Sequence, residues 1–350
     1  MWATGQYGYP SDYLIWCLVP VSLVVHIYCF FRIIKGWPRR WWHLVVGNTL
    51  VTLLMLSCVA LVAETYLRFV STTTDTFDLT LTSKHWFAVY PERNSLQCRD
   101  VEWSEAKPAG TRRIVFLGDS FTFGWGIDDR ADRFTDRLQR DFDVRGGGKV
   151  KVMNAGTAAP DTALQIELAK RLVEGYDIDE LVSCYAPDVF QKSIPASNGA
   201  NPLKAIRPRA IDANSSFLLN YLYYRIVAPR RIESSYFAWL QRGYDDPAVW
   251  HRQVERFDEL IALCRSAGVK LRVVLLPFVV SPGAEFDTAG VNAKVAEAFR
   301  SRGVDVVDLA DVFAGLDPWS LVVNAHDLHP NAKAHALLAE AIWKALLPLQ

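Results

Sequence analysis

The chain has 350 residues, of which 51% are hydrophobic and 12% aromatic, and its 38 basic and 38 acidic side chains cancel. This length allows one domain of roughly 200–250 residues together with extra segments. A net charge of zero gives no electrostatic basis for nucleic-acid binding, so we expect no nucleic-acid partner. The six cysteines include no CxxC pair, and the sequence therefore indicates neither a metal centre nor a disulfide framework.

Two apolar runs near the N-terminus are long enough to cross a membrane. Residues 13–31 and 42–63 contain no Lys, Arg, Asp or Glu, and each approaches the ~20 residues that span ~30 Å of hydrocarbon. The alternative is a buried helical hairpin of a soluble protein, but flanking aromatic and basic residues favour a membrane. A cleaved signal peptide fits poorly because the first run has no basic N-terminal region and a second span follows. We predict a transmembrane hairpin over residues 1–66.

Basic residues predict the orientation of this hairpin. Arg32, Lys35, Arg39 and Arg40 lie between the two spans, whereas the first eleven residues hold no Lys or Arg. The positive-inside rule places such a link in the cytoplasm and both termini outside. Arg68, after the second span, opposes this with one charge against four. The prediction is an inner or cytoplasmic membrane protein whose C-terminal part lies on the periplasmic or extracellular side.

The rest of the chain predicts a connector over residues 67–110, which includes a Thr-rich patch at 71–82, and then an alternation of strands and helices. Strands are expected at 113–117, 149–153, 180–185, 270–276 and 304–308, and helices at 132–142, 163–173, 249–267, 294–301 and 331–346. Such alternation is typical of a parallel sheet with helices on both faces. In these sheets the ligand binds beyond the carboxyl ends of the strands.

One insertion, at about residues 190–246, interrupts the alternation. It begins polar and rich in Pro and Asn, and then becomes aromatic from Phe217 to Tyr224. The aromatic part could be a lid over a site, a surface that faces the membrane, or an ordinary helix packed on the core. The sequence leaves these three alternatives open.

Two short strings carry the chemistry. Gly118-Asp119-Ser120 follows an apolar strand, and Asp327 and His329 stand two residues apart before the last helical run. A serine alone is a poor nucleophile at neutral pH and needs a base within hydrogen-bond reach and a group that orients the base. Each residue also has an ordinary interpretation, as a helix cap or a packed loop residue. Three such coincidences in one chain are less economical than one nucleophilic unit.

With Asn154-x-Gly156 after the second strand, these strings resemble blocks I, II and V of the SGNH, or GDSL-type, hydrolases. The resemblance covers about residues 112–348 and implies a flavodoxin-like three-layer α/β/α sandwich (the SGNH hydrolase fold) over residues 111–350, after the two transmembrane helices. It also implies ester hydrolysis or acyl transfer without a metal or organic cofactor.

By position, the resemblance assigns each residue a role. Ser120 would be the nucleophile, and His329 its general base and later the general acid for the leaving alcohol. Asp327 would orient the imidazole and stabilise its cation. Ser120 and Gly156 would offer backbone N–H groups to the oxyanion, and Asn154 would hold the turn.

The third block is where the chain departs from the family. An Asn after the third strand usually donates to the oxyanion, but here its place falls on Pro187, which has neither an N–H nor a side-chain donor. If the alignment shifts by one residue, Asp188 takes the place, and an ionised carboxylate would repel an oxyanion. Loss of one such donor costs roughly 10²–10³ in turnover. Such a loss would weaken an enzyme without abolishing it, and another donor, such as Gln165 or a side chain from the inserted segment, could compensate.

Three functions remain open. The first is a membrane-anchored serine esterase or deacylase that acts on an acetylated carbohydrate or a lipid. The second is an O-acetyltransferase that acts on cell-surface polysaccharide with the same triad. Two spans are too few to carry acetyl groups across a membrane, so a membrane partner protein would have to donate them. The third is a degenerate, non-catalytic SGNH binding module.

Overall fold

The computed structural model describes residues 10–38, 40–145, 148–158, 161–205, 215–227, 229–281 and 283–346. The described helices are α1 (Pro10–Ile34), α2 (Trp41–Phe69), α3 (Leu81–Val89), α4 (Ser120–Phe123), α5 (Phe134–Arg145), α6 (Thr162–Gly175), α7 (Pro202–Ala205), α8 (Phe217–Leu222), α9 (Pro229–Asp245), α10 (Pro247–Ser266), α11 (Thr288–Arg300) and α12 (Ala332–Leu346). The described strands are β1 (Arg112–Gly118), β2 (Val150–Gly156), β3 (Glu180–Tyr185), β4 (Lys270–Leu275), β5 (Asp305–Asp308), β6 (Val322–Asn324) and β7 (Asp327–Pro330).

The chain forms two compact units, and the first contains the apolar helices. It comprises the described residues of Met1–Thr73, Asp78–Ala88 and Arg207–Pro229. Helices α1 and α2 provide two segments that are long and apolar enough to cross a membrane, Tyr13–Ile34 and Trp41–Phe69, each with a mean hydropathy of 2.2. Only 6% of either apolar window is buried within the protein. The two predicted apolar helices are therefore confirmed, and both extend beyond their predicted ends.

The aromatic part of the insertion forms α8 and belongs to this first unit. Glu64, fully buried on α2, accepts the N–H groups of Phe217 at 3.1 Å and Leu218 at 2.7 Å, and the hydroxyl of Ser216 at 2.9 Å. These are the donors that a helix leaves unpaired at its N-terminus. Arg68, one turn further along α2, donates to Glu64 at 2.8 Å. The segment therefore packs against α2, whereas the three alternatives named a lid, a membrane-facing surface and a helix packed on the core.

The second unit is a three-layer α/β/α sandwich. Its five strands are parallel and lie in the order β2-β1-β3-β4-β5. This is the flavodoxin-like order, in which the direction of winding reverses beside β1. The predicted doubly covered parallel sheet is confirmed. The carboxyl ends of β1 and β2 are level, because Gly118 pairs with Gly156.

Alternate residues of β1 face opposite helical layers, as the pleat of a strand requires. Ile114 and Phe116 pack in one cluster with α5 and α12, whereas Val115 and Leu117 pack in another with α6 and α10. All six residues of β3 are buried, since this central strand is covered on both faces. The predicted helix at 294–301 begins earlier, at Thr288, because the side chain of Asp287 caps it.

Candidate active site

Ser120 lies at the carboxyl end of β1, where the chain turns directly into α4. The side chain of Asp119 caps this single helical turn, since its Oδ1 accepts the N–H of Phe121 at 2.9 Å. A β-carbon at Gly118 would overlap the side chain of Thr122, so only glycine fits the strand-to-helix turn. The local sequence thus fixes the serine at the edge of the sheet where ligands bind in this fold.

Gly156 ends β2 directly against α4. A β-carbon here would overlap the backbone of Thr122 and Phe123. The N–H of Gly156 donates to Asn154 Oδ1 at 2.9 Å, and Asn154 Nδ2 donates in turn to the carbonyl of Thr122 and to Thr135 Oγ1, both at 2.7 Å. Asn154 therefore holds the turn. The oxyanion role of Gly156 stays a prediction, and in this structure its N–H already has an acceptor.

His329 and Asp327 lie on β7, which pairs antiparallel with β6. No strand is predicted from the sequence at this position. The two strands have three and four residues, which is too short for a periodicity of two to be recognised. The ladder holds the two side chains on a rigid element rather than on a free loop.

The three predicted residues meet in one hydrogen-bonded chain. His329 Nε2 lies 2.8 Å from Ser120 Oγ, and His329 Nδ1 lies 2.6 Å from Asp327 Oδ1. Ser120 is 6% exposed, His329 5% and Asp327 0%. This order of hydroxyl, imidazole and carboxylate can move the serine proton to His329 while Asp327 keeps the imidazole oriented.

Two threonines that the sequence did not single out support Asp327. Thr74 Oγ1 donates to Asp327 Oδ2 across a separation of 253 residues. Thr76 Oγ1 accepts the N–H of Leu328 at 2.9 Å, and the N–H of Thr76 donates to the carbonyl of His326 at 3.1 Å. We call Thr74 to Phe77, which belong to the second unit, the strap. The Thr-rich patch was visible in the sequence, but nothing local indicated its partner.

Acidic neighbours set the protonation of His329. Burial lowers the pKa of the imidazole, but the charge and hydrogen bond of Asp327, together with Asp188 and Asp119, outweigh burial and leave the pKa above its ordinary value of 6.5. A raised pKa makes His329 a stronger base for the serine proton. It also means that a larger fraction of the imidazole is protonated at a given pH.

A small cavity of about 40 Å³ opens beside His329. Its walls are mainly aromatic and aliphatic, and its polar groups include His329 and Asp188. The aromatic lining consists of Phe77, Phe121, Tyr236, Phe237 and Phe278. This volume is far below the roughly 300–1,000 Å³ of a pocket for a drug-sized ligand, so the cavity has room only for a small group.

The segment after β3 gives the two candidate residues of the third block, Pro187 and Asp188, different surroundings. Pro187 begins a short 3₁₀ stretch, and its carbonyl accepts the hydroxyl of Tyr244 at 2.7 Å. Asp188, the next residue, lines the cavity beside His329. Gln165 does not line that cavity. Within the described part of the chain, no three His, Cys, Asp or Glu side chains are grouped so that they could hold a metal ion.

Comparison with known proteins gives weak structural likenesses. The chain is similar to the psychrotrophic esterase EstA from Pseudoalteromonas sp., with 11% identity, a TM-score of 0.42, and coverage of 68% of this chain and 98% of that one. It is similar to the lipase/acylhydrolase from Enterococcus faecalis, with 18% identity, a TM-score of 0.39, and coverage of 67% and 95%. It is also similar to a putative lipolytic protein of the G-D-S-L family from Desulfitobacterium hafniense, with 10% identity, a TM-score of 0.41, and coverage of 67% and 99%. No family model and no curated protein sequence matches the chain.

Proposed function

We propose that the chain is a membrane-anchored serine esterase that uses Ser120, His329 and Asp327. The observation that carries this proposal is the unbroken chain of hydrogen bonds from Ser120 Oγ through the imidazole to Asp327, at 2.8 and 2.6 Å. Both distances fall within the range required for nucleophile activation. Ordinary capping or packing roles do not require a serine hydroxyl, an imidazole and a carboxylate in this order.

The reaction follows from the positions of the protons. Ser120 Oγ attacks the ester carbonyl while His329 Nε2 takes the hydroxyl proton, which gives a tetrahedral intermediate with a negative oxygen. This intermediate expels the alcohol, which receives the proton from His329, and leaves an acyl group on Ser120. Water then attacks with His329 as base, and collapse releases the carboxylic acid and restores the serine hydroxyl. Asp327 stays ionised and stabilises the imidazolium in both halves.

The cavity favours a short acyl group. Its volume is about 40 Å³, and aromatic side chains make up much of its lining. An acetyl group has the size and apolarity that such a space accepts, whereas a long acyl chain would have to displace these rings. The substrate class that we propose is therefore an acetyl or other short-chain ester. An acetylated carbohydrate fits this description better than a long-chain lipid.

The decisive experiment uses the full-length chain in detergent with p-nitrophenyl acetate. We expect Ser120→Ala to lower kcat by roughly 10⁴-fold or more, while Ser266→Ala, which alters an exposed serine of α10, leaves it unchanged. A fluorophosphonate probe should label the wild-type protein and Ser266→Ala, but not Ser120→Ala. Equal turnover in the wild type and Ser120→Ala would overturn the proposal.

The same assay separates acyl size and reaction type. We expect p-nitrophenyl acetate to be cleaved with a higher kcat/KM than the octanoate ester, since the cavity is small. A preference for octanoate would move the substrate towards lipids. Adding an oligosaccharide tests for transfer: acetylated sugar in place of free acetate would favour the O-acetyltransferase over the esterase.

A further inference from the structure

Two buried carboxyl groups face one another beside the serine. Asp119 uses Oδ1 to cap α4, but its Oδ2 is buried and receives no hydrogen bond from any described group. Asp188 Oδ1 is also buried and receives no hydrogen bond from any described group. The two side chains are close enough for each to influence the protonation of the other. Two carboxylate oxygens are both acceptors, so they can be hydrogen-bonded only if a proton stands between them.

The surroundings disfavour two negative charges here. His329 is the basic group that faces the pair, and it already interacts with Asp327. Burial raises the pKa of Asp119, and the neighbouring charge of Asp188 raises it further; burial likewise raises the pKa of Asp188. The other titratable groups that interact with the pair are buried, with raised pKa values, and stay neutral: Cys184, Tyr185, Tyr236 and Tyr244.

We propose that both carboxyls are neutral in the active protein, so that the Asp119 O–H donates to Asp188 and the Asp188 O–H donates to the oxyanion of the tetrahedral intermediate. Asp188 would then supply the hydrogen bond that Pro187 cannot give. No proton leaves Asp188 in this step, and the donor therefore needs no co-reactant. This inference rests on the esterase function proposed above.

Topology supports the position of this donor. Asp188 follows the carboxyl end of β3, and Ser120 follows the carboxyl end of β1, its neighbour in the sheet. Both ends meet at one edge of a parallel sheet, and Asp188 lines the cavity together with His329. A carboxylic acid that an apolar site keeps neutral can donate to an oxyanion at neutral pH.

The test compares kcat/KM for p-nitrophenyl acetate from about pH 5 to about pH 10 in the full-length wild type, Asp188→Asn and Asp188→Ala. Asparagine can donate a hydrogen bond but cannot ionise. We expect wild-type activity to fall at alkaline pH as Asp188 ionises, Asp188→Asn to lose this fall while staying within roughly tenfold of the wild type, and Asp188→Ala to lose roughly 10²–10³. Asp311→Asn, an exposed change of the same kind, should behave as the wild type.

Several outcomes would overturn the inference. If the alkaline fall persists in Asp188→Asn, another group causes it. If Asp188→Ala is as active as Asp188→Asn, the side chain does not donate. If both variants gain activity, Asp188 is an ionised group that repels the oxyanion. If Asp188→Asn instead shifts the acid limb downwards and shows no change at alkaline pH, Asp188 serves as an anion that stabilises imidazolium.

Thermal unfolding gives a readout that does not depend on activity. A carboxyl whose folded-state pKa lies above its unfolded value binds more protons in the folded state, so its contribution to stability is lost as pH rises from the unfolded pKa through the folded one. We expect the Tm of the wild type to fall more steeply over this range than that of Asp188→Asn. Equal slopes would contradict the neutral pair even if no ester is hydrolysed, whereas loss of Ser120-dependent turnover alone would contradict only the esterase.

Discussion

In the proposed reaction, His329 has to be neutral when it takes the serine proton and positive when it protonates the leaving alcohol. The structure favours the positive form, because Asp327 contacts one ring nitrogen and its charge and hydrogen bond raise the pKa of His329. A raised pKa therefore strengthens the base but restricts the pH range in which the base is available. We therefore expect the charges around this one ring to set the acid limit of the proposed activity.

We expect kcat/KM to fall as pH drops through the raised pKa of His329. Asp327→Asn removes the carboxylate that raises this pKa, while burial, which lowers it, remains. The acid limb should therefore move to lower pH, and kcat should fall by roughly 10⁴ because the tautomer is no longer fixed. A pH profile of p-nitrophenyl acetate hydrolysis measures both effects, with Asp311→Asn as control. If the acid limb stays at the same pH in Asp327→Asn, a group other than His329 causes it.

The three residues that meet at the site could be predicted from the sequence, but the groups that surround and hydrogen-bond to them could not. Ser120, Asp327 and His329 stand in local strings whose order and position at strand ends are visible in the chain. Thr74 contacts Asp327 from 253 residues away, and no local pattern encodes that pairing. The contact between Asp119 and Asp188 was equally hidden, since a single sequence does not show that the third block faces the capping residue of α4.

At the scale of elements, the strap holds β7 in place. The strap contacts the three residues before His329 through the hydroxyl of Thr74 and through both the N–H and the hydroxyl of Thr76. A buried carboxylate needs several donors, and those of Asp327 come from the strap and from His329 itself. The antiparallel pairing of β7 with β6 also holds the backbone of Asp327 and His329.

Thr74→Val tests this support because it removes one hydroxyl and keeps the shape of the side chain. We expect roughly a 10–100-fold lower kcat and a loss of about 1–3 kcal/mol in the free energy of unfolding, since a buried charged acceptor loses a donor. Thr111→Val, at a partly buried threonine directly before β1 and away from Asp327, is the control and should change neither. Steady-state kinetics measures kcat, and thermal unfolding measures the loss of stability. Unchanged kcat in Thr74→Val would show that Asp327 is held adequately without the strap.

At the scale of the whole chain, local patterns predicted the layers but not the division into units. Apolar strands and amphipathic helices are encoded by neighbours in sequence, so a parallel sheet covered on both faces followed from local patterns, whereas its flavodoxin-like arrangement was implied only by the family resemblance. The partners of Glu64 lie at residues 216–218, within the insertion. That pairing joins α8 to the apolar helices by charge and hydrogen bonding, and short-range periodicity does not report such contacts.

The orientation of the apolar helices is a prediction about the whole chain. The four basic residues between α1 and α2 favour a cytoplasmic link, and Arg68 was the one opposing charge. Arg68 is buried and donates to Glu64 at 2.8 Å, so its charge is balanced within the protein and gives little opposition. A periplasmic reporter fused after Gln350 should therefore be active, whereas the same reporter fused in the link after Gly36 should be silent. Neutralising the four basic residues should lower the signal from the Gln350 fusion. If a fusion after Gln350 is active only with a cytoplasmic reporter, the predicted orientation is wrong and Ser120 lies on the other side of the membrane.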